Sequence, residues 1–494
     1  MKYLLLIVST ILVVWTMLAV ALIPKAASEG KVPLVWTTDP NPQREPQVDW
    51  FNKMYPDCKL RIDPDNQDRM KVIVQSSAGM GPDIIGHITN QTLQTYLEAG
   101  IVWDVTEQAK KMGFSVDTLP ETVRPLVQLR DPNTLELRQY TYPCNVFHTF
   151  IIYNKDLFDE AGVSYPSTDL TWEEYIDKAQ KLTRYSDGEK NIPEVFGAGD
   201  AKPQILIWEK GGSMLNADGT RCTLGEPEAV AGMAFYHDLF FKYHVEPSPV
   251  QEASVTSQGG WGGGSYRNWF GERKIAMIFG ARWMLIQFRR FFSQQLEQQR
   301  EWEQEHPGED YPGPTPFRMG ACLVPRFKDG NRYTTSNARC AGINKMSPHR
   351  EDALKFLQYL AGEKYSELIN TGADSKPGNK KYISLERFVH PDWPGEQPVH
   401  RMSIESIPYG RSAQPSLFVN QTKVRRIFTQ ARDYLEANPD LTYRQVEDVM
   451  KNAARRIDTE IATNIKRTPH LRRAYDDLLA QGAAPVAIDL DTID

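Results

Sequence analysis

Between residues 32 and 91, short apolar runs alternate with helical stretches, and this alternation constrains the fold of the 494-residue chain more than any other feature. Val32–Thr38 and Cys58–Ile62 are predicted as strands, with a helix between them near Gln47–Tyr55. The helical stretch Gln67–Ser77 then leads to an apolar strand at Pro82–His87. Strands that alternate with helices pair in parallel, in a sheet that helices cover. The pattern therefore predicts an α/β fold.

Ligands of such a sheet bind in the loops beyond the C-terminal ends of its strands. Thr37–Asn41 and His87–Gln91 are therefore candidate ligand loops. Toward the end of the chain, Val424–Leu435 and Tyr443–Ile461 have apolar residues three and four apart. That spacing predicts a mostly helical C-terminal region.

The N-terminus carries an almost unbroken apolar run from Tyr3 to Pro24, followed by the small residues Ala26, Ala27 and Ser28. The run is close to the length of about 20 residues that spans a bilayer, and longer than the apolar part of a typical signal peptide. Residues 1–28 are therefore predicted to be a signal peptide cut before Glu29 or a retained membrane anchor. Either outcome places the rest of the chain in the periplasm or at the cell surface.

Charge and cysteine content exclude several classes of function. The formal net charge of −6 gives no global reason to bind nucleic acid, because such binding needs clustered positive charge. The five cysteines form no C-x-x-C or Cys/His cluster, so we expect no metal site, while one or two disulfides remain allowed. No nucleophile elbow, metal-ligand helix or dinucleotide fingerprint is present, and we expect neither a cofactor nor an enzyme.

Two local patterns have structural explanations. Thr171 and Glu174 form a capping box, so the acids Glu173 and Glu174 are predicted to begin a helix rather than to catalyse a reaction. The glycine-rich segment 259–265 lacks the Gly-Lys-Ser/Thr ending of a phosphate loop. It is predicted to be a loop that presents Trp261 and Tyr266.

Four strings, in this order, resemble the extracellular solute-binding proteins of ABC importers, specifically the sugar-binding family that includes maltose-binding protein. They are Gly81–Ile85, Tyr153–Gly162 followed by Thr171–Glu174, Phe270–Met277, and Ala341–Asn344. The resemblance covers nearly the whole exported chain. It implies a protein that binds a carbohydrate, expected to be an oligosaccharide. The protein is expected to be a monomer, and its partners are expected to be the permease subunits of an ABC importer.

The resemblance also implies a two-lobed clamp whose lobes are discontinuous in sequence. Lobe one is expected to contain residues 29–142 plus about 284–361, and lobe two residues 143–283 plus about 362–494. The chain is expected to cross between lobes near 142–145, 279–283 and 361–362. The residues expected at these hinges are Tyr142, Pro143, Gly280 and Gly362.

By the same resemblance, the ligand contacts are expected in the loops at the cleft, because a sugar needs flat aromatic groups over its ring and polar groups at its rim. The candidates are Trp36, Asp39, His87, Asn90, Phe147, His148, Trp208, Trp261, Tyr266, Arg282 and Trp283. Phe147 stands where maltose-type proteins have an acidic residue, so maltose itself is not implied. Arg273-Lys274 replaces the family's Gly-Lys, with no expected effect on function.

Three alternatives remain open at this point. Arg282 and Arg339 could bind the phosphate of glycerol phosphate or another anionic solute. A secreted glycoside hydrolase would need two carboxyl groups about 5–10 Å apart, for which Glu209 is the acid to test. The third alternative is a structural surface protein with a degenerate cleft.

Overall fold

The structure is a computed structural model that describes residues 30–492 apart from 40, 64–67, 132, 186–192, 250, 253–264 and 314, together with residue 15. The strands are β1 (Val32–Thr37), β2 (Cys58–Asp63), β3 (Ile84–Ile88), β4 (Gln128–Arg130), β5 (Leu137–Gln139), β6 (Thr141–His148), β7 (Phe150–Asn154), β8 (Arg184–Tyr185), β9 (Pro193–Gly199), β10 (Ile275–Gly280), β11 (Met319–Cys322), β12 (Thr334–Ile343) and β13 (Gly410–Arg411).

The α-helices in the described part of the chain are α1 (Arg44–Met54), α2 (Arg69–Ser77), α3 (Asn90–Glu98), α4 (Thr106–Met112), α5 (Lys155–Glu160), α6 (Trp172–Leu182), α7 (Pro203–Glu209), α8 (Pro227–Phe241), α9 (Ser265–Gly271), α10 (Leu285–Glu305), α11 (Arg350–Ala361), α12 (Glu363–Thr371), α13 (Leu385–Phe388), α14 (Gln397–Glu405), α15 (Gln421–Ala437), α16 (Tyr443–Arg467) and α17 (Pro469–Ala480).

The first sheet has the strand order β13-β12-β3-β1-β2, and β6 pairs with β12 on the edge opposite β3. β1 runs parallel to both β2 and β3, as the alternation of strands and helices predicts. β12 runs antiparallel to β3 and to β6. The helices α1–α4, α11 and α12 surround the apolar core of this sheet, which we call lobe one.

The second sheet has the order β11-β7-β10-β9-β8, in which β10 is parallel to β9 and antiparallel to β7. One face packs against α6, α7 and α8 and the C-terminal helices α15–α17. The other face packs against α9, α10 and α14. We call this sheet and its two apolar layers lobe two. The predicted α/β class, the two lobes and the helical C-terminal region are confirmed.

The capping box at the start of α6 is present. Thr171 Oγ1 accepts a hydrogen bond from the backbone N–H of Glu174 at 3.2 Å, and Glu174 Oε2 accepts one from the N–H of Thr171 at 3.0 Å. Both donors would otherwise lack a partner in the first turn of the helix. Glu174 is therefore accounted for by helix capping.

The chain passes between the sheets at different places from those expected. β6 stays in lobe one until His148, so the first passage is at Thr149 rather than at 142–145. The segment 279–283 does not cross, because β10 and α10 both pack within lobe two. The second passage lies between β11 and β12.

The third passage follows α12 rather than α11. Tyr365 and Ile369 of α12 still pack in the lobe-one core, and Ala373 is the first residue after them to pack in lobe two. Residues 284–322 thus lie with lobe two, and 363–371 with lobe one, contrary to the expected boundaries. Which lobe a segment joins is decided by strand pairing between residues far apart in the sequence. The order of motifs along the chain does not show this pairing.

Three of the four expected hinge residues lie in strands, and the fourth lies between two helices. Tyr142 and Pro143 are buried within β6, and Gly362 lies between α11 and α12. Gly280 ends β10, where a Cβ would lie 2.9 Å from both Ile152 Cδ1 and Met284 Sδ. Close packing, rather than bending, explains the glycine at 280.

The apolar run at the N-terminus lies outside the described residues, apart from Trp15. Within the described part of the chain, every helix is too short or too polar to cross a membrane. The choice between cleavage and anchoring therefore stays a prediction. All five cysteines are buried and unpaired.

Candidate functional site in the interlobe cleft

A cleft of about 630 Å³ lies between the two lobes. Lobe one contributes Gln91 at the start of α3, Phe147 on β6 and Asn337 on β12. Phe147 and Asn337 are directly paired across these two strands, so their side chains project from one face of the sheet. Lobe two contributes the opposite wall, from residues around β9, β10, α7 and α15.

Aromatic side chains cover much of the cleft wall. Four of the residues predicted from the sequence are among them: Phe147, Trp208, Tyr266 and Trp283. The structure adds Tyr236, Phe240, Phe279 and Phe428. Phe147, Tyr266 and Trp283 are half-buried and can offer a flat apolar face to a ring of a ligand, whereas Trp208 and the four added rings are buried.

Two of the cleft tryptophans have a guanidinium group over the ring. Arg267 lies over Trp283, with 5.0 Å between the guanidinium carbon and the ring centroid. Arg411 lies over Trp208 at 5.4 Å. These cation–π contacts hold each tryptophan at the cleft wall.

Titratable groups are gathered at the lobe-two wall. Asp200 follows the C-terminal end of β9 and pairs with Lys202. Glu246 is buried and accepts hydrogen bonds from the backbone N–H of Ala201 at 3.3 and 3.4 Å. Burial raises the pKa of Glu246 to about 8, so its carboxyl group is largely protonated at neutral pH. It can therefore donate as well as accept a hydrogen bond.

A third carboxyl group at this wall is that of Glu436. Glu436 Oε1 accepts a hydrogen bond from the Tyr236 hydroxyl at 2.7 Å and lies 3.2 Å from Arg432 Nε. Burial raises the pKa of Glu436 and opposes its charge. The cleft thus combines aromatic faces with donors and acceptors that are already oriented.

Trp36 does not reach the cleft. It is fully buried in the core of lobe one, where its ring centroid lies 4.8 Å from that of Phe356. The strand that carries it is central in the sheet, with neighbours on both sides. The residue packs the core, which corrects its predicted role as a ligand contact.

Asp39 and Arg339 belong to a buried ionic network rather than to the cleft wall. Asp39 Oδ1 lies 3.0 Å from Arg44 Nε and 3.3 Å from Arg339 Nη1. Arg44 also pairs with Asp374 at 2.5 Å, and Asn145 donates to the same carboxylate at 2.8 Å. Burial opposes the charge of Asp39, but the two arginines outweigh it and lower its pKa.

Arg282 is fully engaged away from the cleft. It is 1% exposed, and its guanidinium group donates to the carbonyl oxygens of Ser375 at 2.5 Å and Asn370 at 2.6 Å. Its Nε donates to His400 Nδ1 at 3.1 Å. These acceptors lie at the third passage between lobes, so Arg282 holds that passage and is not placed to bind ligand.

His148 is buried as well, and lies 3.3 Å from the hydroxyl of Thr122. Burial lowers its pKa well below the ordinary value, which keeps the ring neutral. A Cβ at Gly410 would lie 2.6 Å from two atoms of the His148 ring, so the ring packs directly against this glycine. The structure gives His148 a packing role.

Three predicted contacts remain, and the structure describes the side chain of one of them, His87. His87 is exposed at the end of β3 and has a φ of 59°, a left-handed conformation that is uncommon for a residue with a side chain. The backbone of Asn90 begins α3, while its side chain is outside the described residues. Trp261 is also outside them.

Sequence reasoning missed several cleft residues. Asp200 could have been found, since it directly follows a strand that pairs in parallel with its neighbour. Arg411 carried no signal, because β13 has two residues and pairs with a strand more than 70 positions earlier. Glu246 follows α8 in an irregular segment that no local pattern marks.

One cluster of side chains that are of metal-ligating type lies outside the cleft. Asp57, Cys58 and Asp352 lie close together near the start of β2. The ammonium group of Lys355 lies 2.5 Å from Asp57 and 2.9 Å from Asp352. This lysine supplies the positive charge that the two carboxylates need, so the arrangement is an ion-pair network.

Comparison with solved structures places this fold among known proteins. The chain is similar to an ABC substrate-binding protein from Listeria monocytogenes in complex with cycloalternan, with a TM-score of 0.66, 22% identity, and coverage of 87% of this chain and 98% of that one. A maltose-bound protein of T. maritima gives a TM-score of 0.62 at 18% identity, covering 86% and 99%. The protein UgpB from Mycobacterium tuberculosis, in complex with glycerophosphocholine, gives 0.65 at 14%, covering 88% and 100%.

Sequence comparison defines the family. A binding protein of Brucella abortus (strain 2308) is 23% identical over 267 residues, 52% of this chain and 55% of that protein, so the chain spans about half the length of the curated relatives it matches. The family of bacterial extracellular solute-binding proteins matches residues 36–367, which is more than half of the chain. The chain therefore belongs to the bacterial extracellular solute-binding protein family.

Proposed function

We propose that this protein captures a carbohydrate in the cleft between its lobes and delivers it to the permease of an ABC importer. The family supplies the general role, a solute-binding protein outside the cytoplasm. The choice of a carbohydrate rests on the aromatic wall of the cleft, with the half-buried rings of Trp283, Tyr266 and Phe147 as its principal members. In this proposal the protein acts as a monomer, with one ligand between its two lobes.

Aromatic rings alone would suit many apolar ligands, but this cleft also has a polar rim. Gln91, Gln204 and Asn337 place amide groups at its wall, and Thr335 and Ser336 add hydroxyl groups. An amide group offers both donors and acceptors, as does each hydroxyl of a sugar. A ligand with a flat apolar ring face and a rim of hydroxyls satisfies both sets of groups.

Glu209, the candidate acid of the glycoside hydrolase alternative, is not placed for catalysis. Glu209 is 8% exposed, and its Oε2 accepts a hydrogen bond from Trp172 Nε1 at 2.7 Å inside lobe two. Burial raises the pKa of Glu209 to about 8. A buried carboxyl group that holds a core tryptophan is suited to packing, so binding is the better proposal.

A thermal-shift screen of monosaccharides and oligosaccharides tests the proposed function. A ligand present at about 100 times its dissociation constant adds about 2.7 kcal/mol to the stability of the folded state. We expect at least one sugar to raise the Tm of the full chain. The double variant Phe147→Ala/Trp283→Ala, which lacks two of the cleft rings, should lose that increase.

An increase that persists in the double variant would mean that the sugar binds outside the cleft. If no sugar raises the Tm while another class of solute does, the carbohydrate assignment fails. The family membership would be unaffected by either result.

A further inference from the structure

The cleft has the opposite charge balance from the chain as a whole. The full sequence carries a formal net charge of −6. At the cleft wall, five basic side chains stand against four carboxyl groups. One of the four, Glu246, is largely protonated at neutral pH because burial raises its pKa to about 8. The described cleft wall is therefore net positive.

Most of these cations have a specific partner. Lys202 pairs with Asp200, and Arg432 lies 3.2 Å from Glu436. Arg425, on α15, donates to the amide oxygen of Gln91 across the cleft. The positive charges of these three side chains are therefore already partnered within the protein.

Arg411 is different. Its guanidinium group lies 5.4 Å from the ring centroid of Trp208 and 5.3 Å from that of Tyr333. Among the described residues, no carboxylate lies within ion-pair distance of it. Arg411 is half-buried, and removal from water lowers its pKa. Its charge is supported by two aromatic faces and is not neutralised.

The backbone fixes where this charge is presented. Arg411 belongs to β13 and pairs with Thr335 of β12. Thr335, Ser412 and Ala413 line the cleft together with Arg411. A planar guanidinium group can donate two parallel hydrogen bonds to a carboxylate or a phosphate. Partial burial strengthens that interaction, because less water screens it.

We propose that the solute is a carbohydrate with an anionic substituent, a carboxylate or a phosphate, and that Arg411 binds this substituent. The inference rests on the proposed function, since it names the chemical class of the sugar. Trp208 then has a definite role: it holds the guanidinium group in place from one face. The anionic group would approach the edge of the guanidinium plane, between Trp208 and Tyr333.

The test uses matched sugars and the full chain. Glucose, glucuronate and glucose 6-phosphate, with galactose and galacturonate as a second set, are titrated by calorimetry at low and at high salt. We expect an anionic member to bind at least about tenfold more tightly than its neutral counterpart, and to weaken as salt rises. The carboxylate and phosphate arms identify which anion is preferred.

The variant Arg411→Gln should bring the affinity for the anionic sugar down to that for the neutral one. Lys202→Gln is the matched control, because Lys202 is also a cleft cation but has its own carboxylate partner. We expect a clearly smaller loss in this control. Thermal unfolding of each variant confirms that it is folded, and the salt dependence of the wild-type protein tests the proposal without any substitution.

A neutral sugar that binds as tightly as its anionic counterpart would overturn this inference and leave the proposed function standing. So would an Arg411→Gln variant that keeps its preference for the anion. Failure of every sugar, neutral or anionic, would overturn the proposed function and this inference with it.

Discussion

Trp283 is a half-buried residue at the cleft wall, with Arg267 over one face of its ring. A ligand can stack only on the other face. We expect Trp283→Ala to weaken sugar binding by about 2 kcal/mol, or about thirtyfold, since aromatic residues at the centre of an interface contribute on this scale. Calorimetric titration measures the change.

Trp50 provides a matched control for this variant. It is also half-buried and has cations over its ring, Lys364 at 4.1 Å and Lys53 at 4.8 Å, but it packs at the surface of lobe one. Trp50→Ala should leave the affinity unchanged. Equal affinities for wild type and Trp283→Ala would show that Trp283 is a packing residue and that stacking falls to another ring.

Glu246 should make stability depend on pH. Its pKa is raised from 4.5 to about 8 in the folded protein, so the folded state holds a proton that the unfolded state has lost. The free energy of unfolding therefore falls as pH rises from about 4.5 to 8, by up to about 1.4 kcal/mol per pH unit for this group. Glu246→Gln should flatten this dependence of the free energy of unfolding on pH. Relative to wild type, the variant should be most stable above pH 8.

Denaturant unfolding at several pH values between 5 and 9 checks this expectation. Glu272→Gln, a change at an exposed acid of the same lobe, should follow the wild-type curve. Parallel curves for wild type and Glu246→Gln would mean that Glu246 is ionised in the folded state.

Arg282 should matter for stability and not for ligand contact. Each of its hydrogen bonds to a carbonyl oxygen at the third passage is a charged one, of the kind that contributes about 1.5–3 kcal/mol. We expect Arg282→Ala to lower the free energy of unfolding by about 3 kcal/mol or more, because several such bonds are lost together. Chemical denaturation measures the loss, and Arg290→Ala, at an exposed position on α10, is the control.

At the scale of secondary structure, the sequence was informative where local chemistry decides the outcome. The helix predicted near Gln47–Tyr55 is Arg44–Met54, and the one predicted at Tyr443–Ile461 is Tyr443–Arg467. Apolar periodicity and capping residues are properties of a short segment. These elements could therefore be placed to within a few residues, except at the C-terminal end of α16.

The passages between lobes and the roles of two arginines were harder to predict, for a different physical reason. β12 inserts between β3 and β6, and nothing within Thr334–Ile343 specifies those partners. Likewise, Arg282 and Arg411 are both arginines beside aromatic residues. Only the tertiary structure shows that carbonyl oxygens enclose the first and that two rings flank the second.

Helices α3 and α15 form a polar contact between the lobes. Protein groups alone make this contact, without a ligand. Asn420, which caps α15, donates to Glu98 Oε2 at 2.8 Å and to Thr95 Oγ1 at 3.1 Å. Thr422 Oγ1 donates to the carbonyl oxygen of Gln91 at 3.0 Å. Because α3 packs in lobe one and α15 in lobe two, opening the lobes would break these bonds.

We expect the double variant Thr95→Val/Glu98→Ala to favour an open form. Two hydrogen bonds at about 1 kcal/mol each would shift the balance between forms by about 2 kcal/mol. Ligand affinity should fall, mainly through faster dissociation, although neither residue lines the cleft. Stopped-flow kinetics measures the rates, and Glu107→Ala, a change at an exposed acid on α4, is the control. An unchanged dissociation rate would remove α3 and α15 from the closing contacts.

For the whole molecule, the cleft geometry predicts closure on binding. A ligand between Phe147 on lobe one and Trp283 on lobe two stabilises the closed form through contacts that the open form lacks. We expect a saturating sugar to reduce the radius of gyration measured by small-angle X-ray scattering. The reduction should be larger in Thr95→Val/Glu98→Ala, because that variant begins from a more open average. If the radius of gyration stays constant in both proteins, the lobes do not move on binding, and the ligand enters a cleft that is already formed.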